Sequence, residues 1–251
     1  MDATSGDVLV ATHTGLFRLS QDEPDESPVR VADRWQDTMG FTVDEGRLLG
    51  SGHPDLREDL PAHLGLIEST DAGQTWTSVS LLGEADLHAL TAEGSDVFGW
   101  DSVSGAVLAS DDGGSTWQDG QTFEAVTDLA VDTGSTRGTA LLATTVEGLL
   151  ASPDHGTTFT QFDPQPPVLL SQVETTSVSP SRLVGAAVDG TIWQLTTDSW
   201  TRVGALPAAP AAFAVTSDGR YLAATEEEVL RSDDQGQTWD RLALLSAGGP
   251  S

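Results

Sequence analysis

Imidazole groups crowd the first part of this 251-residue chain: four of its five histidines, His13, His53, His63 and His88, fall within 88 residues. Neutral imidazole suits Zn, Cu, Fe or Ni, so a transition-metal site is the chemistry these residues could support if the fold converges them. His13, His53 and His88 are the expected ligands, with zinc or copper the expected metal. Asp55, Asp101 or Asp128 could add an oxygen donor, and His63 shares a short stretch with His53, Asp55, Glu58 and Asp59. The competing expectation is of separate loop histidines bonded to backbone carbonyls. His155 sits between Asp154 and Gly156 in a turn and is expected at the surface. Cysteine is absent, which excludes thiolate ligands and disulfides. The one tyrosine, Tyr221, lies in a Gly-Arg-Tyr-Leu-Ala-Ala run that reads as a strand, so a core hydroxyl is expected rather than a nucleophile.

The elements that must position these residues are repeats. Four segments superimpose without gaps, on Ser69–Trp76, Ser110–Trp117, Ser152–Phe159 and Ser232–Trp239. Their shared pattern places Asp71, Gly73 and Trp76 in line with Asp112, Gly114 and Trp117. The other two copies supply Asp154, Gly156 and Phe159, then Asp234, Gly236 and Trp239. The aspartates are spaced by 41, 42 and 80 residues, the last being a double period. Degenerate copies fill the expected gaps at Thr196–Trp200 and at Ser20–Asp22, the latter with Trp35 downstream. A period of about 40 residues, divided into short strands by Gly-containing turns, is the signature of propeller blades. The prediction is therefore an all-β, six-bladed β-propeller of four-stranded antiparallel blades, forming a single domain over residues 1–251. Its blades fall near 1–37, 38–84, 85–124, 125–166, 167–209 and 210–251. Blade one offers only three strand candidates, so its innermost strand is expected to be missing.

Each motif falls in the hairpin between third and fourth strands. Its Asp can accept backbone N–H bonds from the turn, its Gly can take a positive φ, and its aromatic can return to the core. Its Thr is expected to pair across the hairpin. One carboxylate per turn falls short of the six to eight oxygens that calcium takes, so the expected role is structural. His13 and His53 each follow the second strand of a blade, on the face opposite these turns. His88 stands early on the innermost strand of blade three, where Gly40, Asp128, Thr175 and Ala212 hold the matching places in other blades. The ligand site is thus expected at the mouth formed by blades one to three, from His13, His53, His63, His88, Asp55, Asp101 and Asp128.

The repeat resembles the Asp-box, or BNR, repeat of sialidases, sortilin-type receptors and photosystem assembly factors. That resemblance implies boxes that act as structural staples on the face away from the substrate. More narrowly, Ala11–Phe17, Met39–Phe41, Ser51–Pro54 and Leu87–Leu90 resemble a group of bacterial Asp-box proteins loosely called glycosyl hydrolases. In those relatives the chain begins earlier, with a His-x-His-Gly strand. The likeness makes a sialidase-like or other glycoside hydrolase, or a metal-dependent enzyme, the alternative to a binding or assembly module. The Phe-Arg-Ile-Pro signature of sialidases is absent, and Phe17–Ser20 echoes it on the wrong strand. No arginine triad is readable, and 39 acidic residues leave a catalytic carboxylate pair unidentifiable.

Charge narrows the partners. With 11 Lys+Arg against 39 Asp+Glu the formal charge is −28, which repels nucleic-acid phosphates and anionic membrane surfaces. No apolar run approaches the ~20 residues that span a bilayer, so membrane insertion is not expected. A small molecule, a glycan or a protein remains as partner. No signal peptide is visible at Met1–Asp7, and the short first blade leads to the expectation of further sequence upstream.

Overall fold

A computed structural model describes residues 7–21, 26–133, 139–176, 182–196 and 198–245. Two compact units divide them: residues 7–21 with 28–126, and residues 26–27 with those from 127 onward. All regular structure is β, arranged as six antiparallel sheets, the blades of a six-bladed β-propeller.

In the first unit, blade one comprises β1 (Val8–Thr12), β2 (Gly15–Leu19) and β3 (Val29–Arg30). Blade two comprises β4 (Asp37–Asp44), β5 (Arg47–His53), β6 (Leu66–Ser69) and β7 (Thr77–Ser80). Blade three comprises β8 (Leu87–Glu93), β9 (Asp96–Asp101), β10 (Ala106–Ser110) and β11 (Gln118–Thr122). Blade one has three strands, as its sequence suggests.

In the second unit, blade four is β12 (Val126–Asp132), β13 (Ala140–Thr145), β14 (Gly148–Ser152) and β15 (Thr160–Gln161). Blade five is β16 (Leu170–Thr175), β17 (Leu183–Ala187), β18 (Thr191–Leu195) and β19 (Trp200–Ala205). Blade six is β20 (Ala212–Val215), β21 (Tyr221–Ala224), β22 (Glu228–Ser232) and β23 (Asp240–Leu244).

Middle strands read as almost unbroken apolar runs, and β10 and β17 are buried at every residue. Outer strands such as β11, Gln-Asp-Gly-Gln-Thr, are polar and exposed. The cores therefore lie between blades. Leu49 and Leu66 of blade two meet Leu87, Leu90 and Val97 of blade three, while Ile192 of blade five meets Phe213 and Tyr221 of blade six.

Four Asp boxes repeat one hydrogen-bond set. The Asp112 Oδ1 accepts from the Thr116 N–H at 2.8 Å and from the Ser110 hydroxyl at 2.8 Å, while Oδ2 accepts from the Thr116 hydroxyl at 2.8 Å. Gly114 N–H donates back to Ser110 Oγ at 2.9 Å. Asp71, Asp154 and Asp234 are held in the same way by Thr75, Thr158 and Thr238. The box Thr thus bonds the Asp within its own turn, and the cross-hairpin pairing expected from the sequence is replaced by this shorter-range contact. Two box tryptophans latch their blades to the preceding ones. Trp117 Nε1 donates to Ser80 Oγ at 2.9 Å, and Trp239 Nε1 to the Ala205 carbonyl at 2.8 Å. The degenerate copy keeps this latch in a shortened turn, since Trp200 Nε1 donates to the Pro164 carbonyl at 2.8 Å; Thr197 lies outside the described residues. So does Asp22 of the first degenerate copy, and Trp35 is no latch but stands 38% exposed with Arg30 stacked 3.7 Å from its ring centre.

These bonds favour the charged carboxylate and hold Asp71, Asp112 and Asp234 down at about 2. A carboxyl that titrates near 4 when unfolded and near 2 when folded stabilises the fold above about pH 4 and stops doing so as pH falls towards 2. Asp112→Ala is expected to lower the thermal midpoint at pH 7, with the gap to the parent protein closing at pH 2. Melting curves followed by circular dichroism at both pH values check this. An equal gap at both would contradict the assignment.

Candidate functional site

The first unit gathers all four of its histidines around two aspartates. Inner strands β4 and β8 each carry a bulge, at Met39 and at His88. Counted from the bulge, Asp37 and Asp86 are equivalent residues of consecutive blades. The same count places Met39 of blade two and Ser171 of blade five in register with His88, one and four residues from the expected Gly40 and Thr175. His13, just past β1, and His53, at the end of β5, are likewise equivalent, so β1 takes the second-strand role. Each reaches the aspartate of the following blade. His13 Nδ1 lies 2.7 Å from Asp37 Oδ1, and His53 Nε2 lies 3.6 Å from Asp86 Oδ2.

Asp86 is the hub. Its side chain is 5% exposed, and Oδ2 accepts from His88 Nε2 at 2.8 Å and from the Ser102 hydroxyl at 3.2 Å. His63 Nδ1 stands 3.9 Å from the same oxygen. One donor atom each from His53, His63 and Asp86 lies within 4.8 Å of the others. Three buried atoms here have no hydrogen-bond partner: Asp86 Oδ1, His63 Nδ1 and His53 Nδ1, the last 3.4 Å from Asp37 Oδ2. Above this floor the imidazoles of His53, His63 and His88 are 39%, 32% and 32% exposed, and His13 is 78% exposed.

Local sequence explains the convergence. Gly40 lets blade three press close, because a Cβ there would sit 2.4 Å from the Leu87 carbonyl oxygen. Ser51 Oγ accepts the Leu87 N–H at 2.9 Å, fixing the start of β8 beside β5. The long loop after β5 closes through Leu64 N–H to the Gly52 carbonyl at 2.8 Å, which returns His63 to His53 with ring centres 5.7 Å apart.

Asp55 and Asp101 brace this arrangement. Asp55 accepts from the Trp35 N–H at 2.9 Å and from the Arg57 guanidinium, which holds its carboxyl well below the usual range. Arg57 also bonds Asp33 at 3.1 Å, and Arg34 pairs with Glu58 at 3.3 Å, so the loop is tied to the turn before β4. Asp101 accepts the Asp86 N–H at 2.9 Å together with bonds from Val103 and Ser104. Burial pushes its carboxyl up, yet these donors outweigh it and hold it low. Asp37 and Asp86 escaped the sequence reading. Aligning the inner strands on their bulges would have exposed both.

Asp128 belongs to the second unit. Its Oδ2 accepts the Val173 N–H at 2.8 Å, and burial pushes its carboxyl up to about 7. Glu174 on the next inner strand is also raised, by burial first and by Asp128 second. Tyr221 is 1% exposed, packed edge-on against Phe213, in keeping with a core group. His155 occupies its box turn at φ 55°.

Residues 230–241, covering most of β22 and the last box, match the BNR/Asp-box repeat family. The chain is a β-propeller that carries Asp-box repeats. Among solved structures, this propeller is similar to a GH74 enzyme from Niastella koreensis, with 19% identity and a TM-score of 0.60 over 96% of the chain. It spans 44% of that enzyme's length. It is also similar to a chain in a nidogen/laminin complex, with 13% identity and a TM-score of 0.71, covering 94% of this chain and 93% of that one. At these identities the likeness concerns the fold. No curated protein sequence matches the chain. Among the described residues no helix is long and apolar enough to cross a membrane.

Proposed function

We propose that this Asp-box propeller is a binding module whose ligand site is the His/Asp cluster of blades one to three, built on a divalent transition metal held by His53 Nε2, His63 Nδ1 and Asp86. The observation that carries this reading is Asp86, a buried carboxylate with one oxygen unpartnered and three imidazoles about the other. An ionised group is costly to bury without compensation, and a cation supplies it. Separations of 3.6 and 3.9 Å leave room for an ion about 2.1 Å from each donor. His88 and Ser102 then orient the ligating carboxylate, and Asp37 faces the remaining nitrogen of His53, the usual outer partners of a metal site. His13 and His88, expected as ligands from the sequence, take supporting places in this scheme.

Calorimetric titration of untagged, chelator-treated protein with Zn²⁺ tests the proposal. One equivalent is expected to bind, and Asp86→Asn or His63→Ala to weaken it by about 100-fold or more, with His155→Ala unchanged. At a hundred times Kd the metal should stabilise the fold by about 2.7 kcal/mol. Stoichiometric binding that survives Asp86→Asn would overturn the assignment.

A further inference from the structure

We infer that the metal keeps one coordination position open to solvent and that this position takes a carboxylate of an exogenous ligand. The inference rests on the metal reading above and names the class of ligand.

Three donors are not enough to close the site. Structural zinc sites have four protein ligands, whereas three protein ligands leave a place for water or an incoming group. Among the described residues the donor atoms that lie mutually within 4.8 Å come from three side chains. The nearest further nitrogens are committed. Carboxylates only accept, so His88 Nε2 donates to Asp86 Oδ2 at 2.8 Å and His13 Nδ1 donates to Asp37 at 2.7 Å. Neither can ligate through those atoms without giving up that bond.

The open position also has a direction. Asp86 forms a floor at 5% exposure, while the imidazoles of His53 and His63 are 39% and 32% exposed to water. The free position therefore lies across from the carboxylate, where a molecule can reach it from solution.

Charge selects the class. A divalent ion with one buried carboxylate carries a residual +1. Asp37 adds little to the balance, because its carboxylate is 34% exposed, bound to His13 and screened by water. One monoanionic oxygen donor brings the half-buried centre to neutrality. A phosphate dianion would overshoot it, inside a chain whose formal charge is already −28.

Cobalt(II)-loaded protein titrated with acetate, and in parallel with inorganic phosphate, is the test. Its visible spectrum reports changes in the cobalt coordination shell. Acetate is expected to shift the spectrum saturably, at least tenfold more tightly than phosphate, and His155→Ala should leave that response in place. Bound cobalt whose spectrum ignores both anions overturns the open position. So does a parent protein that ignores acetate while His88→Ala responds, because His88 would then be a fourth ligand. A response equal for both anions overturns the carboxylate preference. Failure to take up cobalt at all defeats the metal reading itself, and is told apart by metal analysis of the dialysed sample.

Discussion

Asp128→Asn is expected to make the protein more stable at pH 8 and to flatten its stability between pH 5 and 8. The carboxyl of Asp128 still meets some solvent, yet protein closes round it, and burial outweighs the hydrogen bonds from Val173 and Leu129 to push it up to about 7. An unfolded chain releases this proton near pH 4. The native state keeps it until about 7, so between these values the native state binds more protons and stability falls as pH rises. Three units would correspond to about 4 kcal/mol in full burial, and partial solvent access reduces that to about 1–2 kcal/mol. Asparagine keeps an oxygen for the Val173 N–H and removes the charge. Glu174→Gln should act in the same direction. Denaturant melts at pH 5, 6, 7 and 8 decide the matter, with Asp119→Asn on the exposed face of β11 as control for net charge. If Asp119→Asn flattens the curve as much as Asp128→Asn, general self-repulsion is the cause and not burial.

Gly52→Ala should do the greatest harm to the first unit. Gly52 sits at φ 136°, a region that side chains disfavour, and a Cβ there would lie 2.1 Å from the Asp37 carbonyl oxygen and 2.9 Å from the Met39 nitrogen. Both are backbone atoms, so neither can swing aside. The strand carrying Asp37 must move away from His53, at an expected cost of about 2–4 kcal/mol. Metal affinity should drop by more than tenfold with it, because Asp37 and the loop to His63 shift together. Gly46→Ala is the matched control. It has φ 84° but nothing within 4 Å of its Cβ, so it carries the conformational strain alone, about 1 kcal/mol, and should leave metal binding intact. Chemical denaturation and zinc titration of both variants separate the two effects. Equal losses would mean that the contact with Asp37 is unimportant.

The blades were legible because their signal is repeated and local. A Ser, an Asp, a Gly and a Thr at fixed spacing close one turn by their own hydrogen bonds, and four copies in register leave little freedom. His53 and His63 were legible for a similar reason, since they stand at the two ends of one loop. Asp37 and Asp86 were not. A single-residue bulge at Met39 or His88 shifts every later residue of an inner strand relative to its partner, and bulges leave no mark in composition. Among 39 acidic residues, nothing but that register distinguishes these two. Trp35 misled in the opposite way: it resembles a box aromatic in sequence, but Arg30 and Asp33 hold it at the surface.

The tryptophan latch bears on how such a chain can grow. Trp117, Trp200 and Trp239 each fasten to the blade before them, at Ser80, Pro164 and Ala205. A segment of about 40 residues copied by tandem duplication therefore arrives with the fastening for its own leading edge, and its acceptor is a main-chain carbonyl or a small hydroxyl that nearly any predecessor can offer. The join between old copy and new needs no coordinated second mutation. Daughter blades are free to drift everywhere else, and blade five, with only a shortened form of the box, is still fastened through Trp200.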